Sequence, residues 1–295
     1  MRRVFLSRVA DMIKNEPDTI YFTVDIGMWA IKDVLRDYPE RCTNFGIYED
    51  GMFSVAAGLA RRGFVPTIFG IQPYLIERTL EQIKMDLAYQ KLGINVVGTG
   101  AAVDYSKYGY SHYCAEDAHI IKAIPGCEFV APGTAKQFLQ LFNQSYRNGK
   151  PTFFRVSDHP NVNYDVDVQF GKANVIQKGN RATVIAVSIM LDEVMKACEG
   201  MDVTVLYYTT LEPFDKKTLA KNCVSGKLLI VEPEYKGSLL DDVHSALSGR
   251  ALQIEHVAFP REIFRNYGTY EEKMTYYGLT ANSIKQKLSL LIEGE

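Results

Sequence analysis

Phe45-Gly46-Ile47-Tyr48-Glu49-Asp50-Gly51-Met52, running into Ser54-Val55-Ala56-Ala57-Gly58-Leu59-Ala60, places one acid, Glu49, between a strand and a helix. A carboxylate at the carboxyl end of a parallel strand stands where open α/β sheets bind ligands. An acid at the head of a helix can also do no more than complement the helix dipole. The residues that follow favour the ligand site. Ala56, Ala57, Gly58 and Ala60 keep one helix face small, so another helix or chain can approach it closely.

Outward from this stretch, apolar β-branched runs alternate with amphipathic segments, the pattern of βαβ units on a parallel sheet. The fold class is therefore α/β, with two domains that each hold a largely parallel sheet flanked by helices. Strands are expected over Thr19 to Asp25, Thr67 to Gly70, Asn95 to Gly98, Glu128 to Ala131 and Thr152 to Val156. Helices are expected near Arg3 to Lys14, Met52 to Arg62, Tyr74 to Gln90, Ala115 to Ala123 and Lys136 to Arg147. Between Asp158 and Asn180 the pattern gives way to Asn, Asp, Gly and Pro punctuation. The expected division is residues 1–165, a linker at 166–178, and a smaller α/β domain at 179–295. A last helix begins after Thr280, its expected cap, with Ile284, Leu288 and Leu291 on one face.

Composition narrows the function. A chain of 295 residues fits two domains of roughly 150. Its net charge of −2, with scattered basic residues, lacks the footprint of a nucleic-acid binder. Five cysteines occur singly, which fits a reducing compartment better than a disulfide scaffold. No segment approaches the roughly 20 apolar residues of a membrane span, and the amino terminus lacks a signal-peptide core. A cytoplasmic protein is expected.

The stretch around Glu49 resembles the cofactor-activating region of transketolases, and the likeness continues along nearly the whole chain. Gly63-Phe64-Val65-Pro66, Glu81-Gln82-Ile83-Lys84, Gly109-Tyr110-Ser111-His112, Ile124-Pro125-Gly126 and Pro151-Thr152-Phe153-Phe154-Arg155 follow in the family's order. Leu211-Glu212-Pro213-Phe214-Asp215, Ile230-Val231-Glu232-Pro233 and Gly278-Leu279-Thr280-Ala281 resemble landmarks of its carboxy-terminal domain. The resemblance implies a thiamine-diphosphate-binding pyrimidine domain followed by a transketolase C-terminal domain.

It also implies roles. Glu49 would bond a ring nitrogen of the pyrimidine, and a carboxyl between apolar walls is suited to share a proton with it. The cofactor supplies the reactive carbon and the protein orients it. Tyr74 falls where the family stacks an aromatic on the pyrimidine. Ile71 matches a neighbouring aromatic, so half of that box is aliphatic here. His112 resembles the histidine that contacts the donor sugar, a task suited to a side chain able to donate or accept near neutral pH. His159 has no such support, and His119 reads as a surface or interface residue.

Departures bear on the substrate. Tyr108 stands where the family has an aspartate that contacts a sugar hydroxyl, and Asp158 where it has an arginine that grips the acceptor phosphate. A carboxylate there turns attraction into repulsion. Arg2 matches another phosphate position, and Arg155 is a candidate to grip the phosphate instead. The acceptor is expected to be other than an ordinary sugar phosphate, such as a nucleotide-linked or otherwise modified sugar, or to be held by residues elsewhere.

No Gly-Asp-Gly followed at about thirty residues by Asn is present to supply oxygen ligands for Mg2+ on the diphosphate. The chain therefore reads as the carboxy-terminal subunit of a split transketolase. An amino-terminal partner would carry the diphosphate and metal site, in a heterotetramer of two plus two. This chain would contribute no metal ligand. The competing readings are the beta subunit of a 2-oxo acid dehydrogenase or decarboxylase, a deoxyxylulose-phosphate-synthase-like enzyme, and a non-catalytic structural or regulatory paralogue.

Overall fold

The computed structural model describes residues 1–294. Among them twelve strands form: β1 (Thr19–Thr23), β2 (Cys42–Asn44), β3 (Val65–Ile71), β4 (Asn95–Thr99), β5 (Glu128–Val130), β6 (Thr152–Val156), β7 (Asn174–Gln177), β8 (Thr183–Val187), β9 (Thr204–Tyr208), β10 (Thr210–Glu212), β11 (Lys227–Tyr235) and β12 (Gln253–Phe259). They build two sheets. The first runs β10-β5-β6-β4-β3-β1-β2 and the second β12-β11-β8-β9-β7. All neighbours are parallel except β10 against β5 and β7 against β9.

The inner strands of the first sheet are buried on both faces, which explains their largely apolar composition, whereas the edge strand β2 exposes Thr43. Successive side chains alternate between two cores. Phe154 packs with Phe5, Phe138 and Phe142, whereas Phe153 joins Ile68, Leu75 and Phe53 on the other side. Fully burying each such side chain contributes about 2 kcal/mol. Helix Arg2–Asn15 buries Phe5, Leu6, Val9, Met12 and Ile13 on the first of these faces, which brings Arg2 to the rim of the sheet. Helix Glu49–Arg61 buries Met52, Phe53, Ala56 and Ala57 on the second, and leaves Val55 exposed.

Three expectations are corrected. Tyr74 to Gln90 is not one helix but Gln72–Ile76, Leu80–Gln82 and a π-helical stretch Ile83–Ala88. Residues 166–178 are more than a linker, since β7 pairs with β9 through Asn174↔Tyr207 and Val175↔Leu206. The sheets are also not segregated by sequence. β10, from the second half of the chain, extends the edge of the first sheet through Thr210↔Val130 and Glu212↔Phe129.

The final helix runs Ala281–Glu293 with Thr280 at its cap, and Ile284, Leu288 and Leu291 are buried as expected. The Thr280 hydroxyl, however, pairs with Ser283 Oγ rather than with a backbone N–H. Among the described residues, no helix is long and apolar enough to cross a membrane.

A buried polar chain joins the halves. Gln72 donates to Asp117 at 3.1 Å, Arg155 donates to the same carboxylate at 3.1 Å, and Arg155 also reaches Glu234 of β11. Gly98 is glycine for a related reason: the amide oxygen of Gln72 fills the space a β-carbon would need.

Candidate active site

β2 lies on one side of β1 and β3 on the other, so sheet growth reverses there and leaves a crevice beyond the carboxyl ends of the strands. β3 ends at Ile71, β4 at Thr99 and β6 at Val156. The segments that follow these ends carry Tyr74, then Tyr108 and His112, then Asp158. Glu49 follows β2.

Glu49 opens its helix and is only 2% exposed. It is not alone among apolar walls, and the sequence-based picture is corrected here. Arg78 Nη1 donates to Glu49 Oε2 at 2.5 Å, and the guanidinium carbon lies 4.7 Å from the centre of the Tyr74 ring. A buried carboxylate needs such a partner, because desolvation of an unpaired charge is costly.

His112 sits in an aromatic nest. Its ring centre is 5.6 Å from that of Tyr74, 5.3 Å from Tyr108 and 6.4 Å from Tyr105. Ser111 Oγ lies 3.1 Å from His112 Nδ1. Ile71, Tyr108, His112, Asp158 and Arg2 line a cavity of about 490 Å³, so the fold gathers five of the seven expected site residues in one place. Glu49 and Tyr74 stand outside its lining, and the Tyr74–His112 contact joins them to it.

Four lining residues were missed from the sequence, Ile26, Asp104, Tyr105 and Lys107, and two of them are held by hydrogen bonds. Tyr105 receives Arg2 Nη1 at 3.5 Å and lies 3.3 Å from Thr99 Oγ1, and burial pushes its hydroxyl pKa up. Asp104 accepts from Ser157 Oγ at 3.0 Å and from the Asp158 N–H at 2.9 Å, which ties the loop after β4 to the loop after β6. Burial raises its pKa to about 7, against the lowering effect of those two hydrogen bonds. The available signal was its position eight residues before His112 in a loop already assigned to the site.

Three further residues differ from expectation. His159 lines the cavity and stacks on Tyr270, ring centres 3.7 Å apart and planes 6° apart. Arg155 is fully buried between Asp117 and Glu234, so it is not available to grip a phosphate. Both ring nitrogens of His119 are buried and have no hydrogen-bond partner among the described residues.

The donor set fits one end of a thiamine cofactor. Glu49, Tyr74 and Ile71 offer an acid, a flat ring and an apolar side chain at or just beyond the carboxyl ends of β2 and β3. The metal end is different. Among the described residues, the group that brings three potential ligand atoms together is Glu77, Cys114 and Glu116. A thiol is a poor ligand for Mg2+, which takes oxygen donors.

A buried acid, an aromatic ring and a histidine follow strand ends at the switch point of a parallel α/β sheet, the place where this class of fold binds its ligands. Residues 1–159 match the family model for the transketolase pyrimidine binding domain, and residues 171–284 that for the transketolase C-terminal domain. The chain belongs to the transketolase family. An uncharacterized 33.6 kDa protein in the fasciation locus of Rhodococcoides fascians is 31% identical, over 98% of this chain and 94% of its own. One of the subunits of the apulose-4-phosphate transketolase of Phocaeicola vulgatus is 26% identical, over 96% and 94%. A solved split-gene transketolase, described as an inactive beta4 tetramer, superposes with a TM-score of 0.87 at 23% identity, covering 99% of this chain and 98% of that one.

Proposed function

We propose that this chain is the carboxy-terminal subunit of a two-chain, thiamine-diphosphate-dependent transketolase that moves a two-carbon ketol unit between sugars. The observation that carries the reading is the chain of contacts at the carboxyl ends of the first sheet, in which buried Glu49 pairs with Arg78, Arg78 packs on Tyr74, and Tyr74 packs on His112. The naming of relatives such as the Phocaeicola vulgatus protein as transketolase subunits supports a partner chain.

Thiamine diphosphate, when bound, supplies the carbon nucleophile that carries the ketol unit. Glu49, through the carboxylate oxygen that Arg78 leaves free, would hydrogen-bond the pyrimidine ring nitrogen, Tyr74 would offer its ring as a stacking surface, and Ile71 would close the side. His112 donates to or accepts from the sugar oxygen nearest the reacting carbon. Tyr108, Arg2 and Asp158 meet the acceptor. With Asp158 at the phosphate position and Arg155 spent inside the protein, the acceptor end favours a sugar without a phosphate at the usual place, in a specialised carbohydrate-biosynthetic role.

Mg2+ and its ligands belong to the amino-terminal partner, in an assembly of two plus two chains. Ala56 and Ala57 face this chain's own core, which corrects the expected small face, and the exposed side chains of Ile47, Tyr48 and Val55 with Gly58 suit that contact instead. All five cysteines are free and buried, which supports a cytoplasmic setting. Co-purification with the amino-terminal subunit, followed by turnover of a panel of ketose donors and aldose acceptors with and without thiamine diphosphate, tests the proposal. Cofactor-dependent turnover of pyruvate, with none of any ketose, would favour a 2-oxo acid decarboxylase. No turnover with any donor would favour a non-catalytic subunit.

A further inference from the structure

Arg78 has no role in the chemistry described above, yet its side chain touches two of the groups assigned to the pyrimidine. It lies in the short junction between helix Gln72–Ile76 and the helical turn Leu80–Gln82, just before the π-helical stretch. From there its guanidinium reaches Glu49 Oε2 at 2.5 Å and packs 4.7 Å from the Tyr74 ring centre. Glu49 is buried, while the Arg78 side chain is 42% exposed. The pair offsets the desolvation of the Glu49 carboxylate, although its arginine end is open to solvent screening. Its geometry is better explained by what it leaves free. Arg78 occupies Oε2, and among the described residues Oε1 accepts no hydrogen bond.

We propose that Arg78 is a positioning residue of the cofactor site. It locks the Glu49 carboxylate through Oε2, so that Oε1 points at the pyrimidine nitrogen, and it braces the Tyr74 ring against which the pyrimidine stacks. A planar guanidinium can donate in its plane and pack by its face at the same time, which an ammonium cannot do as well. This assignment rests on the function proposed above.

The test uses the assembled two-chain complex, with thiamine diphosphate binding read by titration calorimetry and turnover read separately at saturating cofactor. Arg78→Gln is expected to weaken cofactor binding at least tenfold and to lower kcat, with the sugar KM within twofold of the parent. Arg78→Lys keeps a cation for the buried carboxylate and is expected to recover part of both losses, while circular dichroism and retained association with the partner subunit check that both variants fold. Unchanged or tighter binding in Arg78→Gln would overturn the assignment, because Arg78 would then be a bystander or an occupant that the pyrimidine must displace. Should the unmodified complex take up no thiamine diphosphate at all, the functional reading beneath fails and Arg78 loses its role with it.

Discussion

Arg155 on β6 donates to Glu234 on β11 at 3.0 Å, and so fixes the strand that leads to Asp158 against the second sheet. Both side chains are fully buried, and Arg155 also compensates Asp117. Arg155→Ala should therefore strand two buried carboxylates and cost about 3–5 kcal/mol. Glu234→Gln keeps an acceptor and removes a buried charge, so it should cost less than half as much. Denaturant midpoints of the two variants check the order.

Asp104 makes stability depend on pH. Burial raises its folded pKa to about 7, above the value near 4 of an unfolded aspartate. Between those values the folded state holds the proton more tightly, so stability falls as pH rises from about 4 to about 7. The window is worth a few kcal/mol at most, on the order of 1.4 kcal/mol per pH unit. Glu77 is also pushed up to about 7, chiefly by burial, so Asp104→Asn should shrink the slope without abolishing it. Thermal midpoints of parent and variant from pH 5 to 8 measure the difference, and parallel curves would contradict it.

Asp158 sets the sign of charge at the acceptor end. Asp158→Arg should raise kcat/KM for phosphorylated aldoses relative to their unphosphorylated counterparts by roughly tenfold, the effect of about 1.4 kcal/mol. Paired acceptor assays read this ratio directly. A ratio that does not move would place phosphate recognition elsewhere.

Gly58 separates folding from association. A β-carbon added there meets nothing within 4 Å in this chain. Gly58→Leu should leave the chain folded, with a gain of about 0.5–1 kcal/mol from helix propensity, while blocking a partner that packs on the exposed side of the helix at Val55 and Gly58. Sedimentation of the mixed subunits tests this, and normal assembly with the variant would put the interface on another surface.

The doubly buried strands and the terminal helix were legible because their signals are local: a run of apolar residues, or an apolar stripe after a capping residue. The π-helical stretch at Ile83–Ala88 and the edge strand Thr210–Glu212 have no comparable signature. Each depends on what packs beside it. At the site, Ile71, Tyr108, His112, Asp158 and Arg2 were legible from family spacing, and the fold brings them to one cavity. Arg78, Tyr105 and Asp104 were not. An arginine one turn beyond Tyr74 reads as surface charge until the chain closes and Glu49 meets it. An aspartate in a polar loop reads as solvated until Ser157 and the Asp158 backbone donate to it.

The most direct test is Glu49→Ala in the purified complex with the amino-terminal subunit, assayed for thiamine-diphosphate-dependent ketol transfer. Turnover should fall by roughly 100- to 10,000-fold, the contribution of a positioned acid, while the two chains remain associated. Near-normal cofactor-dependent turnover in that variant would contradict the assignment of Glu49 as this chain's activating acid in a site shared with its partner.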